Sequence, residues 1–513
     1  MQTTIFSLTR IVIILTICIG LLACSSDNID LVIDNLPENE VLELRDFHVV
    51  IDGKAYFPFD TCGREINIIV PVEANLKNAI AYFDYTGARV CVDSIEQISG
   101  TSVVDFSNIV DGVKYNVLNA TGGVSYNVRV LNTNLPVVII NTEKAIEDKV
   151  TWVGGNMIIQ PDYESSTHDT YDNIKIKGRG NQTWLYPKKP YAIKLDKKEN
   201  VLGMPKHKRW VLLSLWRGAI GHDLMFWCSR KSDAIEYTPR GEFVELILNN
   251  KFQGLYYLCE QIKVDKNRVN IAELKADDIE YPDVSGGYLL EYDSNYDEEY
   301  KFMSDIFQLP VNLKSPDENV NEAQISYIKD YVHKMESEFM KIETNEDSEY
   351  QKYIDVDNWV DYLLLLGAVS NYEGWGPRSL FMYKDRDKDG MVSKMKMGPM
   401  WDQEIFYVQA YWTWQYNLEA NYFGKLHKDP FFLGRMKHRF PILKEKLVGN
   451  ASNNGLLDYL VILEKRIGYS ARRDVGIWKN DAYDFDDEVK AVKRDFIPRL
   501  DYIERWINNL STN

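Results

Sequence analysis

The stretch between Trp359 and Glu404 constrains the fold of this chain more than any other. Residues 357–366, DNWVDYLLLL, are apolar almost all round, a pattern that is typical of a helix buried on every side. Two short runs rich in β-forming residues follow at 379–383 and 392–397. We therefore expect a buried helix next to a β-hairpin.

Polar residues end both elements of this stretch. Asn371 and Glu373 follow the helix, and Asp402 and Glu404 follow the hairpin. Carboxylates that converge beside an apolar wall are the groups that bind a divalent metal or act as a general base. The alternative is that these are solvated loop residues and that Trp401 is ordinary core.

The first residues indicate an exported, lipid-anchored protein. Arg10 precedes an apolar run at 11–22 that is too short to cross a bilayer, and the run ends in Leu-Leu-Ala-Cys at Cys24. This ending resembles a bacterial lipobox, in which the cysteine becomes the lipidated first residue of the mature protein. We expect residues 1–23 to be a signal peptide and 24–40 an acidic tether in the cell envelope, at the outer membrane or cell surface. A plain signal peptide with an incidental cysteine is the alternative.

Charge and length limit the remaining possibilities. The 513 residues include 59 Lys and Arg and 76 Asp and Glu, which gives a net charge of −17. This balance argues against a nucleic-acid partner and against a polybasic membrane surface, so the expected membrane contact is the lipid anchor. A chain of this length exceeds a single core, and two or three domains are expected.

Residues 41–135 predict an all-β module. Short β-branched or alternating runs recur between turns that contain glycine, and helical periodicity is absent. The pattern suits an immunoglobulin-like sandwich, and it resembles the N-terminal β modules of Bacteroidetes-type surface lipoproteins. Cys62 and Cys91 lie in this module and could pair in an oxidising compartment.

The sequence pattern changes from residue 136. Further along this part, a glycine turn followed by a strand indicates phosphate binding. Gly178 and Gly180 flank Arg179 in a turn whose backbone amides can face a phosphate. Lys194 then lies inside a predicted strand, and protein kinases present a phosphate-binding lysine in this order of turn, strand and lysine. A lysine shielded from water needs a carboxylate partner, and Glu260 is the preferred one among the later strand residues.

Four longer motifs extend this pattern. They are KGRGNQTW at 177–184, PKKPYAIK at 187–194, NNKFQGLYY at 249–257 and GGYLLEYD at 286–293. Together with the segments at Asn371 and Trp401-Asp402 they resemble the CotH kinase family, the spore-coat protein H-like atypical kinases. The resemblance covers about residues 136–510.

The resemblance implies an α+β chain in which an atypical protein-kinase-like domain with a helical C-terminal lobe, residues 136–513, follows the sandwich. It implies transfer of the γ-phosphoryl group of ATP, with Mg²⁺ or Mn²⁺, to Ser or Thr of an unknown protein substrate or surface partner. Carried over by position, the residues that would contact the nucleotide phosphates or orient the lysine are Arg179, Lys194 and Glu260. The catalytic residues would be Glu373 and Asp402, and the metal ligands Asn371, Asp402 and Glu404.

Two departures from the family pattern leave a second function open. Glu373 and Glu404 stand where the family usually has aspartates, and Mg²⁺ tolerates displaced ligand oxygens poorly. Gly221-His222-Asp223 stand where an arginine–asparagine pair is usual. The alternative function is a non-catalytic pseudokinase on the cell surface that binds a protein or a glycan.

The C-terminal part is predicted to be helical. Apolar residues recur every three to four positions at 321–339, 431–447, 455–466 and 489–510, and Pro498 is expected to kink or divide the last helix. An aromatic run precedes these helices and is interpreted as a wall packed beside the site, with a sugar-binding platform as the alternative. Its members are Tyr407, Tyr411, Trp412, Trp414 and Tyr416.

Overall fold

The computed structural model describes residues 41–344, 346–406 and 409–510. The predicted signal peptide, the lipidation site Cys24 and the tether lie outside these residues, as does Tyr407. The described chain divides into two compact units. The first contains the residues up to Pro136 together with 159–169 and 250–252, and the second contains the rest.

The first unit consists of two β-sheets. Its strands are β1 Glu43–Ile51, β2 Lys54–Tyr56, β3 Pro58–Cys62, β4 Glu65–Val70, β5 Ala79–Thr86, β6 Arg89–Val92, β7 Ile95–Glu96, β8 Val103–Val104, β9 Val113–Leu118 and β10 Gly123–Asn132. The sheet orders are β2-β1-β5-β8 and β3-β4-β10-β9-β6-β7. Phe47 of one sheet and Phe83 of the same sheet both contact Tyr115 of the other, with ring centroids 5.0 and 5.8 Å apart. The all-β prediction is confirmed, and the immunoglobulin-like topology stays a prediction.

The strand order decides the question of a disulfide between Cys62 and Cys91. Cys62 ends β3 and Cys91 lies in β6, and three strands of the same sheet lie between them. Neighbouring strands are about 4.8 Å apart, so four spacings separate the two backbones by about 19 Å. A disulfide spans at most about 7 Å between Cα atoms. Among the described side chains Cys91 is buried and has no disulfide partner, and the strand order separates its backbone from that of residue 62 by more than a disulfide spans.

The second unit begins with a closed barrel. Its strands are β11 Val137–Thr142, β12 Val153–Gln160, β13 Asp169–Gly178, β14 Tyr191–Val201, β15 Met204–Leu213, β16 Gly241–Leu248 and β17 Lys251–Glu260. They follow the order β11-β12-β13-β14-β15-β17-β16, and β11 pairs with β16 in parallel. Ile176, Ile193 and Trp210 lie on one face of three neighbouring strands and are fully buried.

A second sheet carries the predicted hairpin. Its strands are β18 Tyr288–Tyr292, β19 Lys301–Met303, β20 Pro310–Ser315, β21 Leu380–Lys384 and β22 Lys396–Met397, in the order β19-β20-β18-β21-β22. Strands β21 and β22 pair antiparallel, so the hairpin is confirmed. Strand β18 lies at the centre, because the motif at 286–293 is apolar enough to be buried by neighbours on both sides.

The described residues contain eight α-helices. They are α1 Gly221–Ser229, α2 Glu322–Thr344, α3 Val356–Ala368, α4 Trp412–Glu419, α5 Phe423–Leu426, α6 Pro430–Val448, α7 Leu456–Trp478 and α8 Phe485–Asn509. Helix α8 is continuous through Pro498, so the predicted division does not occur, and the predicted kink stays a prediction. Pro498 and Arg494 both lie on the exposed face, where water can satisfy the Arg494 carbonyl that loses its helical donor. Among the described residues, every helix is too short or too polar to span a bilayer.

Helix α3 is the buried helix that the sequence predicts. Every residue from Asn358 to Ala368 is buried, and the Asp355 side chain caps the N-terminus by accepting from the Asn358 amide at 3.3 Å. The Asn358 side chain donates to the Met397 carbonyl at 3.1 Å and accepts from the Met397 amide at 2.6 Å. This pair of hydrogen bonds ties the helix to the hairpin and so positions the segments that follow both.

Candidate active site

Asn371 joins the two polar segments. It is buried, its Nδ2 donates to the Asp402 carbonyl at 3.1 Å, and its Oδ1 accepts from the Glu373 amide at 2.8 Å. The Asn417 side chain donates to the Asn371 carbonyl and so fixes the turn that begins at Asn371. The structure therefore brings Asn371, Glu373 and Asp402 together as predicted. The amide of Asn371 acts as a structural link, and its predicted role as a metal ligand stays a prediction.

Glu373 and Asp402 form a coupled acidic pair. Burial first, and then the charges of Asp402 and Asp293, raise the pKa of Glu373 to about 7 against the opposing effect of Arg378 and Arg217. Burial also raises the pKa of Asp402, while Arg179 and Arg217 lower it. Asp402 is accessible to water, and neighbouring protein atoms nevertheless desolvate its carboxylate. A ligand can therefore reach a group whose charge the protein leaves incompletely compensated.

Arg179 faces this pair. It follows strand β13, its backbone amide donates to the Pro190 carbonyl at 3.2 Å, and its guanidinium lies 5.7 Å from the ring centroid of Trp401. Gly180 has a φ of 79°, and a Cβ there would lie 2.0 Å from Thr183 Oγ1. The glycine turn is thus required by both backbone conformation and space, and it presents Arg179 toward Asp402. Burial lowers the pKa of Arg179, and the charge of Asp402 is among the groups that oppose this decrease.

The predicted pairing of Lys194 with Glu260 is wrong. Lys194 lies opposite Arg209, whereas Glu260 lies opposite Trp210, the next residue along β15. Residues that face each other across a ladder share one side of the sheet, and consecutive residues point to opposite sides. Lys194 and Glu260 therefore project from opposite faces of the barrel wall.

Glu260 has its own partners on the buried face. Its carboxylate accepts from Arg240 Nε at 3.1 Å and from the Tyr237 hydroxyl at 3.1 Å, and Arg268 Nε lies 3.7 Å away. Because two guanidinium groups already neutralise this carboxylate, its predicted role in orienting a phosphate-binding lysine has no support in the contacts. Lys194 lies on the other face of the barrel wall, the face that also carries Arg209.

Glu404 is held by the chain that leads into α1. Its carboxylate accepts from the backbone amides of Trp216 and Arg217, and burial followed by the Asp402 charge raises its pKa to about 7. A Cβ on Gly221 would lie 2.4 Å from the Glu404 carbonyl oxygen. The glycine that departs from the family pattern is therefore the residue that lets α1 approach this segment. The Glu404 oxygens are committed partly to backbone donors, which limits how they can bind a metal.

The structure adds two charged residues that sequence reasoning missed. Asp293 Oδ2 accepts from the Ser379 amide at 3.0 Å, and its charge raises the pKa of both Glu373 and Asp402. Arg217 lowers the pKa of Glu373, Asp402 and Glu404. Asp293 ends the motif at 286–293, so the motif could have indicated it. Arg217 lies in a loop without any periodic pattern, and no signal in the sequence singles it out.

The chemistry of the cluster suits a hard cation and phosphate oxygens. Its acceptors are carboxylate oxygens, the ligands that Mg²⁺ prefers, and its cations are arginines, which suit phosphate. Among the described residues no group of three or more His, Cys, Asp or Glu side chains stands close enough together to hold a metal ion. The carboxylates fit the predicted ion in kind. Because Mg²⁺ is commonly bound through one or two carboxylates with water and substrate phosphates, a preformed cage is not required for this fit.

The aromatic run is divided between core and surface. Trp414 is fully buried, as the predicted wall requires, but Trp412 and Tyr416 are 50% and 44% exposed. Trp375 is 58% exposed and contacts the Tyr416 ring edge to face, with centroids 5.4 Å apart. Trp375 follows Glu373 by two residues, whereas Trp412 and Tyr416 come from α4. Because Trp412 and Tyr416 are exposed, the wall interpretation is correct for the buried Trp414 only.

A model of the CotH kinase protein family matches residues 174–509. The match covers more than half of the chain, and the chain belongs to the CotH kinase family. No curated protein matches it. Among solved structures it is similar to a crystal structure from Bacteroides thetaiotaomicron described as a candidate glycoside hydrolase, with 14% sequence identity and a TM-score of 0.17. That similarity covers 53% of this chain and 64% of the other, so it spans less than two thirds of that protein.

Proposed function

We propose that this protein is an envelope lipoprotein with a kinase domain that transfers the γ-phosphoryl group of ATP to a Ser or Thr hydroxyl of a protein. The observation that carries the proposal is the coupled pair Glu373 and Asp402, faced by Arg179 and Arg217, in a chain of the CotH kinase family. Phosphoryl transfer requires mainly positioning and neutralisation of charge, and a cluster of this composition supplies both.

Each residue of the cluster has a separate role in the proposed reaction. Glu373 accepts the proton of the substrate hydroxyl. The hydroxyl oxygen forms a bond to the γ-phosphorus while the bond between that phosphorus and the bridging oxygen of ADP breaks. A carboxyl with a pKa of about 7 is a suitable base at neutral pH, because a useful fraction is ionised and the basicity is higher than that of an ordinary glutamate. Arg179 and Arg217 bind phosphate oxygens. Asp402 and Glu404 would hold Mg²⁺ or Mn²⁺, which supplies further neutralisation of the phosphates when bound.

Binding of ATP tests this proposal. The full chain is expected to bind ATP only with Mg²⁺ or Mn²⁺, and Asp402→Asn is expected to lower binding below detection by calorimetry. Asparagine keeps the backbone at this position, because Asp402 has a φ of 61° and asparagine tolerates that region as aspartate does. The loss would therefore report the carboxylate charge and not a change in the turn.

The matched control is Asp389→Asn in the exposed hairpin turn, where φ is 53°. This variant removes the same charge from the same kind of backbone and is expected to bind ATP like the wild type. Absence of ATP binding by the wild type with either metal would exclude both the kinase and a nucleotide-binding pseudokinase. Equal loss in the two variants would show that Asp402 has no special role.

A non-catalytic surface protein that binds a glycan is the second candidate. The exposed aromatics Trp375, Trp412 and Tyr416 favour it, because aromatic faces that are open to water commonly form binding surfaces. The binding site would then be this surface, and Asp402→Asn would leave glycan binding intact. ATP binding that depends on Asp402 favours the kinase over this candidate.

The envelope location rests on Cys24. We expect the wild type to partition into detergent with the membrane fraction, because one lipidated cysteine with its acyl chains anchors a protein stably. Cys24→Ser is expected to move the protein into the soluble fraction or leave it unprocessed, and immunoblotting of the fractions measures this. Cys18→Ser, a cysteine within the predicted signal, is the control and should not change the location. Wild-type protein found wholly in the soluble fraction would contradict lipidation.

A further inference from the structure

One cavity in the second unit carries an unusual charge for this protein. It has a volume of about 910 Å³, and its walls come from three segments, 230–240, 266–271 and 383–396. Seven of its lining side chains are cationic and two are anionic, in a chain whose net charge is −17. The described residues of the candidate active site, Glu373 and Asp402 among them, do not line it. Local charge of this sign in an acidic protein indicates a site for an anion.

The two anionic lining residues are already neutralised. Glu236 forms an ion pair with Lys396 and accepts a hydrogen bond from the Tyr383 hydroxyl at 3.1 Å. Asp385 lies 3.0 Å from Lys388 Nζ and also accepts from the Ala272 amide at 2.8 Å. The acidic groups therefore do not cancel the charge of the remaining cations.

Buried donors line the same cavity. Arg268 is 3% exposed, and within the described chain its Nε and one terminal nitrogen have no hydrogen-bond partner. Its neighbour Arg240 shares Glu260 with it and is 40% exposed at the side chain. Two guanidinium groups that share one carboxylate retain a net positive charge. Unused donors on a buried cation are costly, and an incoming oxyanion can reduce that cost after a small side-chain movement.

Flexible lysines surround these arginines. Lys266 and Lys394 are exposed lining residues, and Lys388 is 68% exposed at the side chain despite its pair with Asp385. Lysines on long stems can adjust to separate charged groups of one ligand. The cavity is concave and within the size range of sites for small molecules, whereas a nucleic acid or an extended protein chain needs an open groove.

We propose that this cavity binds a small polyanion that carries several phosphate or sulfate groups, at a site separate from the candidate active site. The arginines supply fixed donors at the base, and the lysines contact the outer groups of the ligand. The proposal does not depend on catalysis by Glu373, because none of the residues that carry it belongs to that cluster.

Calorimetry with two probes tests the site. Tripolyphosphate and sucrose octasulfate are titrated separately into the full chain without divalent metal, and binding of either one shows which oxyanion the cavity accepts. The triple variant Lys266→Gln, Lys388→Gln, Lys394→Gln is expected to weaken binding about 100-fold, since it removes three charge-assisted contacts. Binding should also weaken as salt rises.

A matched control separates local from global charge. Lys301→Gln, Lys490→Gln, Lys493→Gln removes the same total charge from exposed lysines on β19 and α8, elements that contribute no residue to the cavity, and should leave affinity within about twofold, because charges outside the cavity are largely screened. Asp402→Asn should also leave probe binding unchanged, while the triple variant should keep Mg²⁺-dependent ATP binding. These arms distinguish failure of this proposal from failure of the proposed function.

Three results would overturn the proposal. The first is absence of binding by both probes at low salt. The second is equal weakening in the cavity variant and the control variant. The third is binding of a phosphorylated protein chain with no affinity for either small probe, which would assign the surface to a macromolecule.

Discussion

Glu373→Gln is expected to lower phosphoryl transfer to protein by a factor of about 10² to 10⁴, the usual contribution of a general base. Glutamine has nearly the same shape and keeps the turn at Asn371, but it cannot accept a proton. The pH dependence gives a second readout. Since the base must be ionised, wild-type kcat/KM should rise with pH through the pKa of about 7 and level off above it. In the Gln variant this rising limb should disappear. Transfer from radiolabelled ATP measures both effects.

Glu349→Gln is the control, because Glu349 is exposed and pairs with Lys352 on the surface. It should leave both rate and pH profile unchanged. A Glu373→Gln variant that keeps the wild-type rate or the rising limb would show that Glu373 is not the base. If wild-type protein binds ATP but transfers no phosphate to any offered protein, the pseudokinase is the correct function. Glu373→Asp separates geometry from charge, and it should lower the rate if the backbone positions the longer side chain.

Lys188→Met is expected to lower the free energy of unfolding of the second unit by about 3–5 kcal/mol, the cost of leaving one charge of a buried ion pair without its partner. Lys188 is fully buried, and its Nζ donates to Asp474 Oδ2 at 2.7 Å and to the Leu255 carbonyl at 2.5 Å. Methionine fills similar space but leaves the Asp474 carboxylate without its cation. All twelve tryptophans lie in the second unit, so tryptophan fluorescence during urea unfolding reports on this unit alone.

The next residue provides the control. Lys189 is partly exposed and donates to the Trp184 carbonyl at 2.7 Å, so Lys189→Met should cost only about 1 kcal/mol, as for one ordinary hydrogen bond. Adding Asp474→Asn to Lys188→Met should recover part of the lost stability, because the unpaired buried charge is removed. The Oδ1 atom of residue 474, which accepts from the Leu255 amide at 2.9 Å in the wild type, can still do so in the variant. Equal destabilisation by the two lysine changes would contradict a special role for the buried pair.

The candidate site was predictable where local pattern and family motif agree. The apolar run at 357–366 and the hairpin runs gave helix α3 and strands β21 and β22, and Asn371 and Asp402 meet because those elements pack together. The site was not predictable where it depends on loops. Arg217 reaches the carboxylates from a segment without periodicity, and the close approach of Gly221 to the Glu404 carbonyl is visible only in three dimensions.

The amino-acid sequence alone predicts the local elements, the mixed α+β class, the CotH kinase family and a net charge of −17. Periodicity over a few neighbouring residues decides the elements, residue counts decide the charge, and motif residues indicate the family. The tertiary structure decided which side chains meet. Strand register places Lys194 and Glu260 on opposite faces. Burial by segments distant in sequence raises the pKa of Glu373 to about 7. Register and desolvation are sums over non-local contacts, and no short stretch of sequence contains them.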